Sequence, residues 1–344
     1  MAHGMRYTRL GRSGLLVSPI CLGTMVFGGR TDETEARRII DDASDAGVNF
    51  IDTADTYAES RSEEIVGRAI AAERDRWVLA TKLGNPVGDG PNSRGLSRKW
   101  ITEELHKSLQ RLGTDYVDIL YLHKEDHGTP FEETVRAIAD LQRAGKLRYF
   151  GVSNHRAWRI ATMCGLCDAA GIDRPVVCQP LYHALNRAVE IEVLPACGFF
   201  GLGVVAYSPL ARGVLSGKYA SGEPAPADSR AGRRDARMMQ TEYRPENLAV
   251  ADRIIDHARK RGADPAAFAI AWILANPLVT GVVAGPRTYE QWRSYVAALD
   301  VRISPEDEAA IDAAVPRGGS AIPNFVDQAY PVEGRPARHA RDRG

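Results

Sequence analysis

The chain has 344 residues, with 44 lysines and arginines against 44 aspartates and glutamates; 44% of residues are hydrophobic and 26% charged. That balance belongs to an ordinary globular protein and excludes the basic excess needed for wholesale nucleic-acid or membrane-surface binding. The longest wholly apolar run, residues 266–275, stops at Asn276-Pro277; it is too short for a bilayer and predicts a buried core helix.

Length alone suggests two domains, although α/β barrels reach this size as one. Arg6, Arg9 and Arg12 alternate with polar residues near the start, so no secretory signal is legible and a cytoplasmic location is expected. Residues 1–4 precede a second methionine, Met5, and are set aside. The cysteines, Cys21, Cys164, Cys167, Cys178 and Cys197, are odd in number and sparse, which suits reduced thiols. Cys164-Gly-Leu-Cys167 matches half of a redox or zinc motif. It has no second pair and falls in a helical stretch, so buried small side chains are the preferred reading and no metal site is expected.

In chain order, residues 7–17 form two short runs around Gly11-Arg-Ser-Gly14 and predict a β-hairpin. Eight apolar runs follow, at residues 20–23, 50–51, 78–81, 117–122, 149–152, 176–178, 204–207 and 281–284. Most lie about 30 residues apart, the length of one βα unit, and near-continuous apolar strands indicate a parallel sheet covered on both faces. Between them, residues 33–46 read as a helix stopped by Gly47, and Ser97 caps a helix reaching Leu112 and stopped by Gly113. Pro130 opens a helix ending at Ala144-Gly145, residues 248–262 and 288–299 read as helices, and Asp264-Pro265 and Ser304-Pro305-Glu306-Asp307 are cap-then-proline starts. A loop rich in glycine, proline and asparagine spans residues 84–97, and an Arg/Pro/Gly-rich stretch spans 212–244. The expected fold is therefore an α/β (β/α)8 TIM barrel over residues 5–317, a single domain with an N-terminal hairpin and long loops at its C-terminal face. Residues 318–344 are expected to be a tail, over the surface or partly disordered. A doubly wound sheet is the weaker alternative, because no Gly-x-Gly-x-x-Gly follows the first strand.

The strand ends carry unusual polar residues. The second strand ends at Asp52, with Tyr57 five residues on; the third ends Thr81-Lys82 and the fourth Leu122-His123. In a barrel these ends share one mouth, where a carboxylate, a phenol, an ammonium and an imidazole suit proton donation to a carbonyl. A free tyrosine has a pKa of about 10, and a nearby ammonium is expected to lower it. Asp52 would hold Lys82, and His123 would orient the substrate oxygen. Singly, each has an ordinary explanation: a turn carboxylate, a half-buried aromatic, a paired strand-end charge. Together at consecutive strand ends they point to a site.

The residues resemble the aldo-keto reductases, over roughly residues 5–315, and most closely the bacterial branch related to potassium-channel β subunits. The resemblance is carried by Gly47-Val-Asn-Phe-Ile-Asp-Thr-Ala-Asp-Thr-Tyr57, Thr81-Lys82, Tyr121-Leu-His123 with Pro130, Gly151-Val-Ser-Asn154, Gln179-Pro-Leu-Tyr182, Tyr207-Ser-Pro-Leu-Ala-Arg-Gly213, Gly217-Lys-Tyr219 and Gly285-Pro-Arg287 with Gln291. It implies NAD(P)H-dependent reduction of a small carbonyl substrate, with Tyr57 as proton donor, Asp52 and Lys82 as its tuning pair and His123 as orienting imidazole. It further implies that Thr24 and Met25 lie beside the nicotinamide ribose, that Ser153, Asn154 and Gln179 bind the carboxamide, and that Tyr207 stacks on the ring. Ser208, Leu210, Gly213 and Lys218 match pyrophosphate-side contacts, and Arg230 and Arg287 match or neighbour the adenosine 2′-phosphate region. Gly285-Pro286-Arg287 opens a helix whose N-terminus offers N–H groups to an anion, which favours NADPH over NADH. A solvated loop is the competing reading for Arg230 and its neighbours Arg233, Arg234 and Arg237. The family often places a Glu-Asn pair against the adenine, where this chain has Ser294 and Tyr295, so adenine contacts are expected to be rearranged. Residues 124–127 and 155–158 carry no readable substrate motif.

Two other functions compete. One is a cofactor-binding regulatory subunit with little turnover; relatives of that type carry an amide where this chain has His123. The other is a metal-dependent barrel hydrolase using His123 and His127, four apart, although Gly128-Thr-Pro130 interrupts any helix there. Substrate identity and oligomeric state are not legible.

Overall fold

The computed structural model describes residues 5–330. Two short antiparallel strands, β1 (Thr8–Arg9) and β2 (Leu16–Val17), precede eight parallel ones: β3 (Ile20–Gly23), β4 (Phe50–Asp52), β5 (Val78–Leu83), β6 (Val117–Leu122), β7 (Leu147–Ser153), β8 (Val177–Gln179), β9 (Gly203–Tyr207) and β10 (Gly281–Ala284). β10 pairs with β3, so the eight close into a barrel in chain order. Side chains alternate faces along each strand. Ile20, Leu22, Ile51, Leu79 and Leu120 face out against the helices, while Cys21, Phe50, Ala80, Ile119, Val177 and Val205 fill the lumen.

The covering helices are α1 (Glu33–Asp45), α2 (Arg61–Ile70), α3 (Arg98–Leu112), α4 (Phe131–Arg143), α5 (Ala157–Ala170), α6 (Val193–Phe200), α7 (Ala236–Gln240), α8 (Pro245–Lys260), α9 (Pro265–Leu274), α10 (Tyr289–Val296) and α11 (Pro305–Ala314). Ser97, Asp264 and Ser304 accept first-turn N–H groups as expected, and Ser304 forms a reciprocal capping box with Asp307. α9 is the buried apolar helix. α8 begins earlier than residue 248, because Pro245 occupies its first turn. α10 tightens into a 3-10 turn, Ala297–Asp300. α2 and α6 carry no start signal, since Ser60 and Glu192 make no side-chain cap. Cys164 and Cys167 are buried on α5, and burial pushes their thiols up to about 11 and about 12.

The hairpin closes the barrel floor: Leu10 and Val17 join the lumen cluster, and Arg12 N–H donates to the Gly201 carbonyl at 2.9 Å. Gly11 has φ +58°, and a Cβ there would stand 2.5 Å from the Gly201 and Val176 oxygens, so the turn requires glycine. At the opposite end, residues 318–330 run over the mouth. Arg187 N–H donates to the Gly319 carbonyl at 2.8 Å and Ala321 N–H to the Leu185 carbonyl at 2.9 Å. The rest of the expected tail, residues 331–344, lies outside the described residues. Among the described residues, no helix is long and apolar enough to cross a membrane.

Candidate active site

Strand parity assembles the site. Phe50 and Asp52, Ala80 and Lys82, Tyr121 and His123, Val177 and Gln179, and Val205 and Tyr207 are two apart, so each polar residue sits one layer above a lumen side chain. They surround a cavity of about 520 Å3 at the barrel mouth. Tyr57, His123, Ser153, Asn154, Gln179 and Tyr207 line it; Asp52 and Lys82 lie behind, essentially unexposed.

Lys82 Nζ donates to Asp52, to the Thr53 carbonyl at 2.9 Å and to the Tyr57 oxygen at 3.2 Å. These use its three protons. Burial alone would lower its pKa, but Asp52 and Tyr57 raise it on balance, so the ammonium is retained. Because Tyr57 accepts from Lys82, its own hydroxyl proton is free to point into the cavity. The expected lowering of the Tyr57 pKa is corrected here: burial raises it by more than Lys82 lowers it, and Asp52 adds to the rise. Tyr57 is thus a protonated donor throughout the neutral range. Directly after it, Ala58, Glu59 and Ser60 have φ of 48°, 58° and 70°, a left-handed run held by Ser60 Oγ donating to the Asp55 carbonyl at 2.7 Å. Such strain persists only where surrounding contacts over-determine it.

The His123 ring meets Tyr57 edge-on, with centroids 6.1 Å apart. Its Nδ1 is 3.0 Å from the Asn85 amide nitrogen, so Nδ1 accepts and the proton sits on Nε2. Burial, then Lys82 and Lys124, push its pKa down to about 3, leaving a neutral imidazole. His127 instead faces Glu125 at 3.4 Å. Among the described residues, no group of three or more His, Cys, Asp or Glu side chains is arranged to hold a metal.

Asn154, at φ 57°, is the hub of the opposite wall. Its amide nitrogen donates to the His123 carbonyl at 2.9 Å and to Ser153 Oγ at 3.0 Å, while its oxygen accepts from Tyr207 at 2.8 Å. Ser153 Oγ donates to the Gln179 carbonyl at 2.8 Å, and Gln179 Nε2 to Asp52 at 2.9 Å. The wall is thereby wired to the Lys82–Asp52 pair, with Tyr207 fixed beside it.

Ser208, Leu210, Gly213 and Lys218 carry the cavity outward from Tyr207, and Gly285, Gln291 and Tyr295 floor its far end. Gly213 has φ +98°, and a Cβ there would stand 2.9 Å from Lys218 Nζ. Arg230 pairs with Asp235 at 3.0 Å and Arg287 with Asp228 at 3.0 Å, both arginines lining the cavity. The expected free helix N-terminus is corrected: Thr288 caps α10, and the Tyr289 N–H is taken by Glu35 at 2.6 Å. Arg287 itself lines the cavity, with its backbone N–H taken by Gln291 at 2.8 Å. Tyr295 presents its ring, whereas Ser294 turns away to Asp264 at 2.8 Å. Met25 lines the cavity, but the structure does not bring Thr24 to it: Thr24 is buried, its hydroxyl on the Asp52 carbonyl and Ser62, its N–H donating to the Asp52 carbonyl at 3.0 Å and its own carbonyl accepting from Ser62 and the Phe27 N–H.

Sequence reasoning missed several groups. Asn85 follows β5 without a distinctive neighbour. Behind Lys82, Thr81 donates to Glu63 at 2.5 Å, and Arg111 bridges Glu63 and Glu104 at 2.6 Å each. The signal for Glu104 was its spacing with Ile101 and Leu105 on the apolar face of α3. Arg212 and Tyr330 also line the cavity, Tyr330 arriving from the chain's expected tail; Arg237, for which a solvated loop was the competing reading, lines it too and pairs with Asp327.

The sequence profile of the aldo/keto reductase family matches residues 19–316. An uncharacterized oxidoreductase, YrpG, of Bacillus subtilis (strain 168) is 38% identical over 330 residues, covering 93% of this chain and 98% of its own. A probable voltage-gated potassium channel subunit beta of Oryza sativa subsp. japonica is 40% identical over 319 residues, covering 90% and 97%. The L-glyceraldehyde 3-phosphate reductase of Escherichia coli O157:H7 is 35% identical over 323 residues, covering 90% and 92%. The chain belongs to the aldo/keto reductase family and is an NAD(P)H-dependent oxidoreductase.

Proposed function

We propose that this protein reduces an aldehyde or ketone to the alcohol, with Tyr57 as the proton donor and NADPH as the preferred reductant. The observation carrying this reading is the contact from buried Lys82 to Tyr57, which lines a cavity whose other end gathers cations. The donor set fits a dinucleotide: amides beside Tyr207, a glycine-lined passage past Lys218, and arginines at the far end. When bound, the reduced nicotinamide supplies the hydride. Tyr207, Ser153, Asn154 and Gln179 hold and orient its ring end, while Lys218, Arg230 and Arg287 receive its phosphates. His123 Nε2–H and the Tyr57 hydroxyl converge on the substrate oxygen, which His123 orients and Tyr57 protonates. Lys82 steadies the phenolate left behind, and Asp52 keeps Lys82 charged.

Arginines near a ribose phosphate support NADPH over NADH. The potassium channel subunit relatives support a second reading, a cofactor-binding subunit with little turnover. One experiment separates the two: cofactor oxidation followed with a panel of aldehydes and ketones. Many turnovers per enzyme that depend on added carbonyl support the reductase. A single, substrate-independent turnover supports the regulatory reading.

A further inference from the structure

Two electrostatic neighbourhoods share the cavity. At its far end Arg30, Lys218, Arg230 and Arg287 stand with Asp228 and Asp235, four cations against two carboxylates. The reacting end is different. There Lys82 is matched by Asp52, and His123 is neutral.

Two further arginines line the cavity beside Tyr207, and both are matched internally. Arg212, at φ 54°, donates from Nε to Glu242 at 2.7 Å, and the Glu242 side chain is 4% exposed. Burial would raise the Glu242 pKa, but His183 and Arg212 take it down to about 2, so it stays ionised. Arg237 grips Asp327 with both terminal nitrogens, one of them at 2.6 Å. Arg212, Arg237 and Tyr330 line the same cavity as Tyr57, His123 and Tyr207, so these pairs border the reacting end.

An unmatched guanidinium about 6 Å from an anion, at an effective dielectric of about 20, would favour it by about a hundredfold. A carboxylate at contact distance cancels most of that field and leaves hydrogen-bond donors without net charge. Placing an anionic group there carries its desolvation cost with little return.

We propose that the reacting end selects uncharged carbonyl compounds over anionic ones, with Glu242 and Asp327 determining this specificity by neutralising Arg212 and Arg237. The proposal rests on the carbonyl-reduction reading of the same cavity. Its test compares kcat/KM for glyceraldehyde and glyceraldehyde 3-phosphate, which differ only in the phosphate, in the wild type and in Glu242→Gln and Asp327→Asn. The wild type should favour the uncharged aldehyde, and each variant should move the ratio toward the phosphorylated one by about tenfold, a fraction of the unmatched-charge effect. Asp327→Asn, on the surface-crossing segment, carries the comparison should Glu242→Gln fail to fold. A wild-type preference for the phosphorylated aldehyde, or an unchanged ratio in the folded variants, overturns the proposal. Absence of turnover with either aldehyde and with the wider carbonyl panel would instead overturn the reduction reading beneath it.

Discussion

Lys82 and Tyr57 form a one-way hydrogen bond: the ammonium donates to the phenolic oxygen at 3.2 Å, with Asp52 and the Thr53 carbonyl taking its other protons. Removing Lys82 therefore does two things. Lys82→Met should lower kcat by leaving the phenolate without its cation. It should also destabilise the fold by about 3–5 kcal/mol, because the carboxylate of Asp52 remains buried with only Gln179 as donor. Urea unfolding checks the second effect; a loss under 1 kcal/mol would mean that water reaches Asp52.

His123 is neutral in the fold, with its pKa pushed down to about 3. The pH profile of kcat/KM should then show no histidine step between about pH 5 and 8, where a free imidazole titrates. His123→Asn should cost about 100-fold in kcat/KM by removing an oriented donor. A step near the ordinary histidine pKa that disappears in the variant would show that the imidazole is charged during turnover.

At the far end, Asp228 occupies Arg287 at 3.0 Å and competes with any phosphate for it. Arg287→Met should weaken NADPH binding by about 10-fold or more, the worth of one charge-assisted hydrogen bond, and leave NADH nearly unchanged. Asp228→Asn should tighten NADPH. Fluorescence titration with both dinucleotides checks the pair; equal losses for both would separate Arg287 from the 2′-phosphate.

Acid should destabilise the protein through its buried histidines. Burial depresses His155 to about 4 and His123 to about 3, against 6.5 for a free histidine. The unfolded chain therefore binds more protons than the folded one below pH 6.5. This contribution is fully present above that value and is lost as pH falls through the folded pKa values, at about 1.4 kcal/mol per pH unit for each group. Urea midpoints should fall between pH 6.5 and 4, and His155→Gln should flatten that fall. An unchanged slope would place the uptake elsewhere.

Most of the barrel was legible because buried parallel strands leave continuous apolar runs: β6 and β10 fall on their expected residues. α3 was legible because Ser97 and Gly113 punctuate it chemically. α2 was not, since its entry is the strained turn at Ala58–Ser60, whose stability comes from tertiary contacts. In the site, Asp52, Lys82 and His123 were readable because each falls at a strand end, and in a barrel those ends share one mouth. The acidity of Tyr57 was not, because burial, which decides its direction, is a property of the assembled mouth. Tyr330 and the Arg237–Asp327 pair were hidden for a related reason: they meet across 90 residues of intervening chain.

In the proposed reaction the Tyr57 hydroxyl supplies the proton. Steady-state and binding measurements on Tyr57→Phe isolate that role, since the change removes one oxygen and keeps the ring. The kcat should fall by about 100-fold or more with an efficient carbonyl substrate, while the dissociation constant for NADPH stays within about twofold. A variant that turns over at the wild-type rate while binding cofactor normally would contradict that role.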